Sequence, residues 1–113
     1  ITVPGFPNLF MLYGPNTNLG HNSILVMIEA QVGYVIDAIR QMDAGGVRRL
    51  DVKRPVMEEY NRWLQRDLAK SVWAADQQSW YKLADGTITN NWPHSTIRYQ
   101  RLLREAKLED YDT

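Results

Sequence analysis

At 113 residues the chain has room for one compact domain, and a hydrophobic share of 44% is too high for a disordered polypeptide. Thirteen basic side chains balance thirteen acidic ones, so the basic excess of a nucleic-acid binder is absent. Zero cysteine excludes disulfides, thiolate nucleophiles and Cys-ligated metals and suits a cytoplasmic setting; no apolar run approaches the roughly 20 residues that span a bilayer.

In chain order, Ile1 to Pro7 read as the interior of a longer polypeptide, with two prolines around Gly5 setting an extended or turning path. Leu9 to Tyr13 are apolar at every position. A strand covered on both faces need not alternate, so this run is expected to be a buried, parallel strand. From Gly14 to Asn22 the sequence is GPNTNLGHN, a loop. Asn22 or Ser23 then caps a helix running to about Met42 and ended by Gly45-Gly46. Its inward stripe is expected to be Ile24, Ile28, Val32, Val35, Ile36 and Ile39, with the end from Ile24 to Ile28 buried all round, Glu29 in a structural pairing with a cation or backbone donor rather than a buried acid, and Asp37 with Arg40 a surface pair.

A short strand is expected over Arg49 to Lys53. Pro55 fits the first position of a second helix reaching about Trp73, with Val56, Tyr60, Trp63, Leu64 and Leu68 inward. Ser79 to Leu83 and Thr87 to Thr89 flank Ala84-Asp85-Gly86, a hairpin signal. Pro93 with Ser95 or Thr96 opens a third helix to about Ala106, and the acidic tail from Glu109 is expected to fray. The fold class is therefore α+β, with residues 1–113 one unit.

The chemistry-bearing feature is the succession strand, Gly/Asn loop, helix N-terminus. The first backbone N–H groups of a helix lack internal partners and carry positive partial charge. They suit a phosphate or a ring carbonyl that gains negative charge, and glycines let a flat ligand approach the main chain. An ordinary strand-to-helix connection has the same pattern. Two histidines, His21 and His94, are too few for a histidine-built metal cluster. Arg98, Arg101 and Arg104, with Lys107, could grip a phosphate, but Glu105, Glu109 and Asp110 dilute that field and favour a solvated face.

Three stretches carry a resemblance: Pro4-Gly5-Phe6-Pro7-Asn8-Leu9-Phe10-Met11, Gly14-Pro15-Asn16-Thr17-Asn18-Leu19-Gly20-His21-Asn22-Ser23 and Met27-Ile28-Glu29-Ala30-Gln31. Together they resemble the last FAD-domain segment, C-terminal in the enzyme, of Baeyer–Villiger and related flavin-containing monooxygenases. Ser79-Trp80-Tyr81 with Thr89-Asn90-Asn91-Trp92-Pro93 is similar to the end of the same family. The resemblance implies a Rossmann-like FAD domain in a larger enzyme that uses FAD and NADPH to insert one oxygen atom from O₂ into ketones, or to oxidise nitrogen or sulfur. It implies that Gly14, Pro15, Asn16, Asn22, Ser23 and Ile24 lie against FAD, with the main chain near Ser23 and Ile24 bonding the flavin O2. Leu19, Gly20 and His21 would line the substrate side, and Trp80 would lie near NADP.

The chain departs from the family in lacking the G-x-G-x-x-G fingerprints and the F-x-G-x-x-x-H-x-x-x-W motif. The family's active-site arginine also lies outside it. Lys82-Leu83-Ala84-Asp85-Gly86 replaces a Gly-Ala-Asn run seen in many relatives. By itself the chain is thus expected to be inactive and to bind FAD weakly or not at all. Its expected partners are the rest of the FAD and NADP domains and a small-molecule substrate, with no nucleic acid, membrane or metal. The isolated piece is expected to form homo-oligomers. The competing expectation is a small self-associating α+β interaction module without catalytic activity.

Overall fold

Ser23 opens the longest element, α1 (Ile24–Gly45), by accepting a hydrogen bond from the Leu25 N–H on its side chain. Gly46, at φ 66°, closes it in the left-handed conformation that glycine adopts without a Cβ penalty. The computed structural model describes residues 1–18, 23–70 and 83–113. Within them, β1 (Asp51–Val52) leads directly into α2 (Arg54–Leu68), whose Pro55 lies in the first turn. Then come α3 (Thr96–Leu102), capped by Ser95, a 3-10 turn (Leu108–Asp110) and β2 (Tyr111–Asp112). β1 and β2 pair antiparallel, Asp51 with Asp112 and Val52 with Tyr111. The α+β reading therefore stands at this level.

Two apolar clusters lie along α1. Met27 joins Leu64, Leu68, Ile88, Trp92 and Tyr99 in one; Ala38 joins Leu50, Val52, Ala106 and Tyr111 in the other. The inward stripe of α2 is as expected, with Leu64 and Leu68 fully buried and Glu58, Glu59, Arg62 and Arg66 exposed.

Several expectations are corrected. No strand forms over Leu9 to Tyr13, and Leu9, Leu12 and Tyr13 are exposed. A strand needs an edge to pair with, and among the described residues no strand pairs with this run. Its N–H groups instead reach separate acceptors, Met11 on the Ile1 carbonyl and Tyr13 on Gln31 Oε1. The buried face of α1 is Met27, Gln31 and Ala38, whereas Leu25, Val32, Ile36 and Ile39 are 64, 39, 44 and 54% exposed. Glu29 is exposed with them, so the start of α1 is not buried all round. α3 stops at Leu102, because the Ala106 N–H goes to Asp37 and the Ala106 carbonyl to Gln41 instead of a helical ladder. Asp37 is held chiefly by those bonds, with the charge of Arg40 acting on it as a lesser cause. The tail does not fray: Tyr111 is buried in β2, its hydroxyl 2.6 Å from that of Tyr34.

The second helix ends at Leu68, short of the expected Trp73, and Trp73 lies outside the described residues. So does the first arm of the expected hairpin from Ser79 to Lys82, but its turn is present. Gly86 has φ 89°, the Leu83 N–H donates to the Thr87 carbonyl, and Asp85 accepts from the Thr87 N–H.

Candidate functional site

Residues 14–18 are held from behind by a segment more than seventy positions away. The Asn16 N–H donates to the Thr89 carbonyl and the Asn18 N–H to the Asn90 carbonyl, both at 2.9 Å, and the Trp92 N–H donates to the Asn18 carbonyl at 3.0 Å. These bonds make a parallel bridge between Asn18 and Asn91. The buried Asn16 side chain adds two donations, to the carbonyls of Ile88 (2.8 Å) and Asn91 (3.1 Å). Thr17 Oγ1 closes the loop onto the Gly14 carbonyl at 2.6 Å. The two sequence stretches that resemble one family, Gly14 to Asn18 and Thr89 to Pro93, are therefore one structural unit.

The backbone leaves ordinary conformations here. Tyr13 has φ 54° and Asn16 φ 57°. Asparagine tolerates that region, whereas a bulky tyrosine held there costs on the order of 1–3 kcal/mol. The Tyr13 N–H is anchored on the fully buried Gln31, whose Nε2 donates to the Tyr99 hydroxyl at 2.8 Å, and the Tyr13 hydroxyl donates to Asn18 Oδ1. The loop thus leaves Tyr13 on a path set by α1 and α3.

At the far end of the loop, the first turn of α1 contains no acidic side chain to neutralise its positive end. Ser23 is exposed and Ile24 half-buried. The Leu25 N–H is taken by Ser23 Oγ and the Val26 N–H by the Ser23 carbonyl; the Ile24 N–H has no acceptor among the described residues. Gly14 presents no side chain, and a Cβ there would meet Met11 Cβ at 3.4 Å and Met11 Cε at 3.8 Å. A helix N-terminus with no acidic side chain in its first turn can face one edge of a ring bearing a carbonyl. The buried Asn91 Nδ2 has no hydrogen-bond partner among the described residues.

Of the residues expected at the site, Gly14, Pro15, Asn16, Ser23 and Ile24 are described. Pro15 is exposed, while the Asn16 carboxamide is committed to the loop's own support. Leu19, Gly20, His21, Asn22 and Trp80 lie outside the described residues.

Sequence reasoning missed a polar cluster on α2 and α3. His94 Nε2 lies 2.8 Å from Asp67 Oδ2, and Arg98 Nη1 lies 3.2 Å from His94 Nδ1. Arginine only donates, so Nδ1 accepts, and the ring proton sits on Nε2 facing the carboxylate. The imidazole stacks on Trp63, over which the Arg98 guanidinium also lies at 5.3 Å. The spacing of His94 and Arg98 was a legible signal, but Asp67 was not. Arg98 is thus engaged with protein groups, and Arg104 lies beyond the end of α3. Among the described residues no group of three His, Cys, Asp or Glu could hold a metal ion, and no helix is long and apolar enough to cross a membrane.

The chain is 46% identical over 112 residues to a Baeyer–Villiger monooxygenase of Pseudomonas aeruginosa, a match that covers 97% of this chain and 21% of the relative. It is 46% identical over 116 residues to the FAD-binding monooxygenase ktnD of Aspergillus niger, covering 98% and 19%. A Baeyer–Villiger monooxygenase of Streptomyces coelicolor is 37% identical, covering 97% and 22%. The chain thus spans about a fifth of the length of these relatives. No family model matches it, and no solved structure matches it.

Proposed function

Because the chain belongs to the family of Baeyer–Villiger and FAD-binding monooxygenases, we propose that it forms one wall of the flavin site, in the C-terminal part of a larger NADPH- and FAD-dependent enzyme. That enzyme inserts an oxygen atom from O₂ into ketones or oxidises nitrogen or sulfur centres. The observation that carries this reading is the N-terminus of a 22-residue helix whose first turn holds no acidic side chain, preceded by residues 14–18, which the bridge to Asn91 fixes.

FAD supplies the redox chemistry when bound. The chain's own part is to bind and orient it. The Ile24 N–H donates to a ring carbonyl at the pyrimidine edge, where a reduced flavin carries negative charge. A helix N-terminus stabilises such charge by about 0.3–1 kcal/mol when exposed and up to about 2 kcal/mol when partly buried. The bonds from Asn16, Thr17 and Asn18 hold the loop before the ring arrives, so little ordering cost falls on binding. Leu19, Gly20 and His21 line the substrate side and Trp80 the NADP side. The apolar stripe of Leu25, Val32, Ile36 and Ile39 packs against the rest of the enzyme. With no dinucleotide fingerprint, the 113-residue piece has no grip on the pyrophosphate and is inactive alone.

The test is flavin retention through gel filtration. The full-length protein is expected to keep FAD stoichiometrically and oxidise NADPH in the presence of a ketone or amine, while the 113-residue chain loses it. Stoichiometric FAD on the short chain, or none on the full-length protein, contradicts the reading.

A further inference from the structure

Gln31 lies about two turns into α1 and is fully buried. Its Oε1 accepts from the Tyr13 N–H at 2.9 Å, and its Nε2 donates to the Tyr99 hydroxyl at 2.8 Å. A backbone N–H only donates, so the carboxamide has one orientation that satisfies both partners.

These two bonds open two routes to the same residue. The first runs through Tyr13, whose hydroxyl donates to Asn18 Oδ1 at 3.2 Å. The second runs through Tyr99, whose ring meets that of Trp92 edge-on at 5.0 Å. The Trp92 N–H in turn donates to the Asn18 carbonyl at 3.0 Å. Residues 14–18 are therefore gripped at both ends from one position on α1. At the near end the grip works against a conformational preference. Tyr13 has φ 54°, a region that a bulky residue occupies only where its surroundings over-determine it. Position 31 must accept at one end and donate at the other, which a carboxamide does and an aliphatic side chain does not.

We propose that Gln31 is a positioning residue for the flavin: it holds residues 14–18 and the N-terminus of α1 in one frame, so that the ring meets both in a fixed relation. The inference rests on the flavin reading of the proposed function and adds to it the side chain that sets the frame. A loop already in place when the ring arrives binds it without a further ordering cost.

The test uses the full-length protein and three variants. Gln31→Met is unbranched and of similar size but has no amide. Tyr99→Phe breaks the second route alone and carries the comparison where Gln31→Met does not fold. Val52→Ala loosens the other apolar cluster and touches neither route. Gln31→Met is expected to weaken FAD binding roughly three- to tenfold, to alter the visible circular dichroism of the bound flavin, and to speed amide exchange at Tyr13 and Asn18 in the FAD-free protein. Tyr99→Phe is expected to move all three in the same direction. Val52→Ala is expected to lower the thermal midpoint and leave FAD affinity and flavin dichroism as in the wild type. Wild-type affinity and dichroism in Gln31→Met or Tyr99→Phe, unchanged exchange at Tyr13 and Asn18, or an equal loss of FAD in Val52→Ala would each overturn the inference and leave the flavin reading standing. A wild-type protein that binds no FAD would remove that reading, and this inference with it.

Discussion

Gln31 ties three segments together through one side chain, accepting from the Tyr13 N–H and donating to Tyr99 while fully buried. Nothing in the sequence distinguishes it from a solvent-facing glutamine, because its partners lie 18 and 68 positions away. Gln31→Leu is expected to lower unfolding free energy by about 1–3 kcal/mol, measured by urea denaturation; an unchanged midpoint would show that the joint carries no weight. Asp37 is similar. Its carboxyl is held below the usual carboxylate range chiefly by the Ala106 N–H and then by Gln41. Such a group contributes stability that is complete above the ordinary value of 3.8 and is lost as pH falls through its folded pKa. Asp37→Asn is therefore expected to reduce stability at neutral pH and flatten the decline below about pH 4, read from thermal midpoints across pH. Parallel acid profiles for the two proteins would contradict this. Local signals fared better: Ser23 and Gly46 were legible as caps because capping depends on neighbouring atoms.

At the scale of elements, α1 was legible in existence and length but not in orientation. Packing took the face with Met27, Gln31 and Ala38, leaving Leu25, Val32, Ile36 and Ile39 outside. Periodicity cannot say which face meets the neighbours. The strand expected over Leu9 to Tyr13 failed for a related reason, since a β-run is defined by what pairs with it. Helix propensity still acts locally. Gly33 sits inside α1 with nothing within 4 Å of where its Cβ would be, so Gly33→Ala is expected to stabilise the chain by about 0.5–1 kcal/mol. A lower thermal midpoint in that variant would show that the site is more crowded than the structure has it.

For the whole molecule, the exposed stripe of Leu25, Val32, Ile36 and Ile39 makes solution behaviour a direct reading of what α1 lacks. The isolated chain is expected to self-associate at micromolar concentration, and Ile36→Glu with Ile39→Glu to return it to a monomer, measured by sedimentation velocity. A wild-type chain that stays monomeric would mean that the stripe needs no cover. The loop and the cap that opens α1 were legible because glycine, asparagine and a capping serine are sequence features. Their support by residues 88–92 was not, because it runs through backbone bonds.

The most direct measurement bears on the Ile24 N–H. Position 24 opens the helix, where proline is tolerated and deletes only the donor, and Ser23 at φ −69°, ψ 130° already has a backbone suited to a following proline. In the full-length enzyme, Ile24→Pro is expected to weaken binding of reduced FAD by up to roughly thirtyfold relative to Ile24→Ala, with helix content unchanged. Equal affinity of the two variants for reduced FAD would contradict the account.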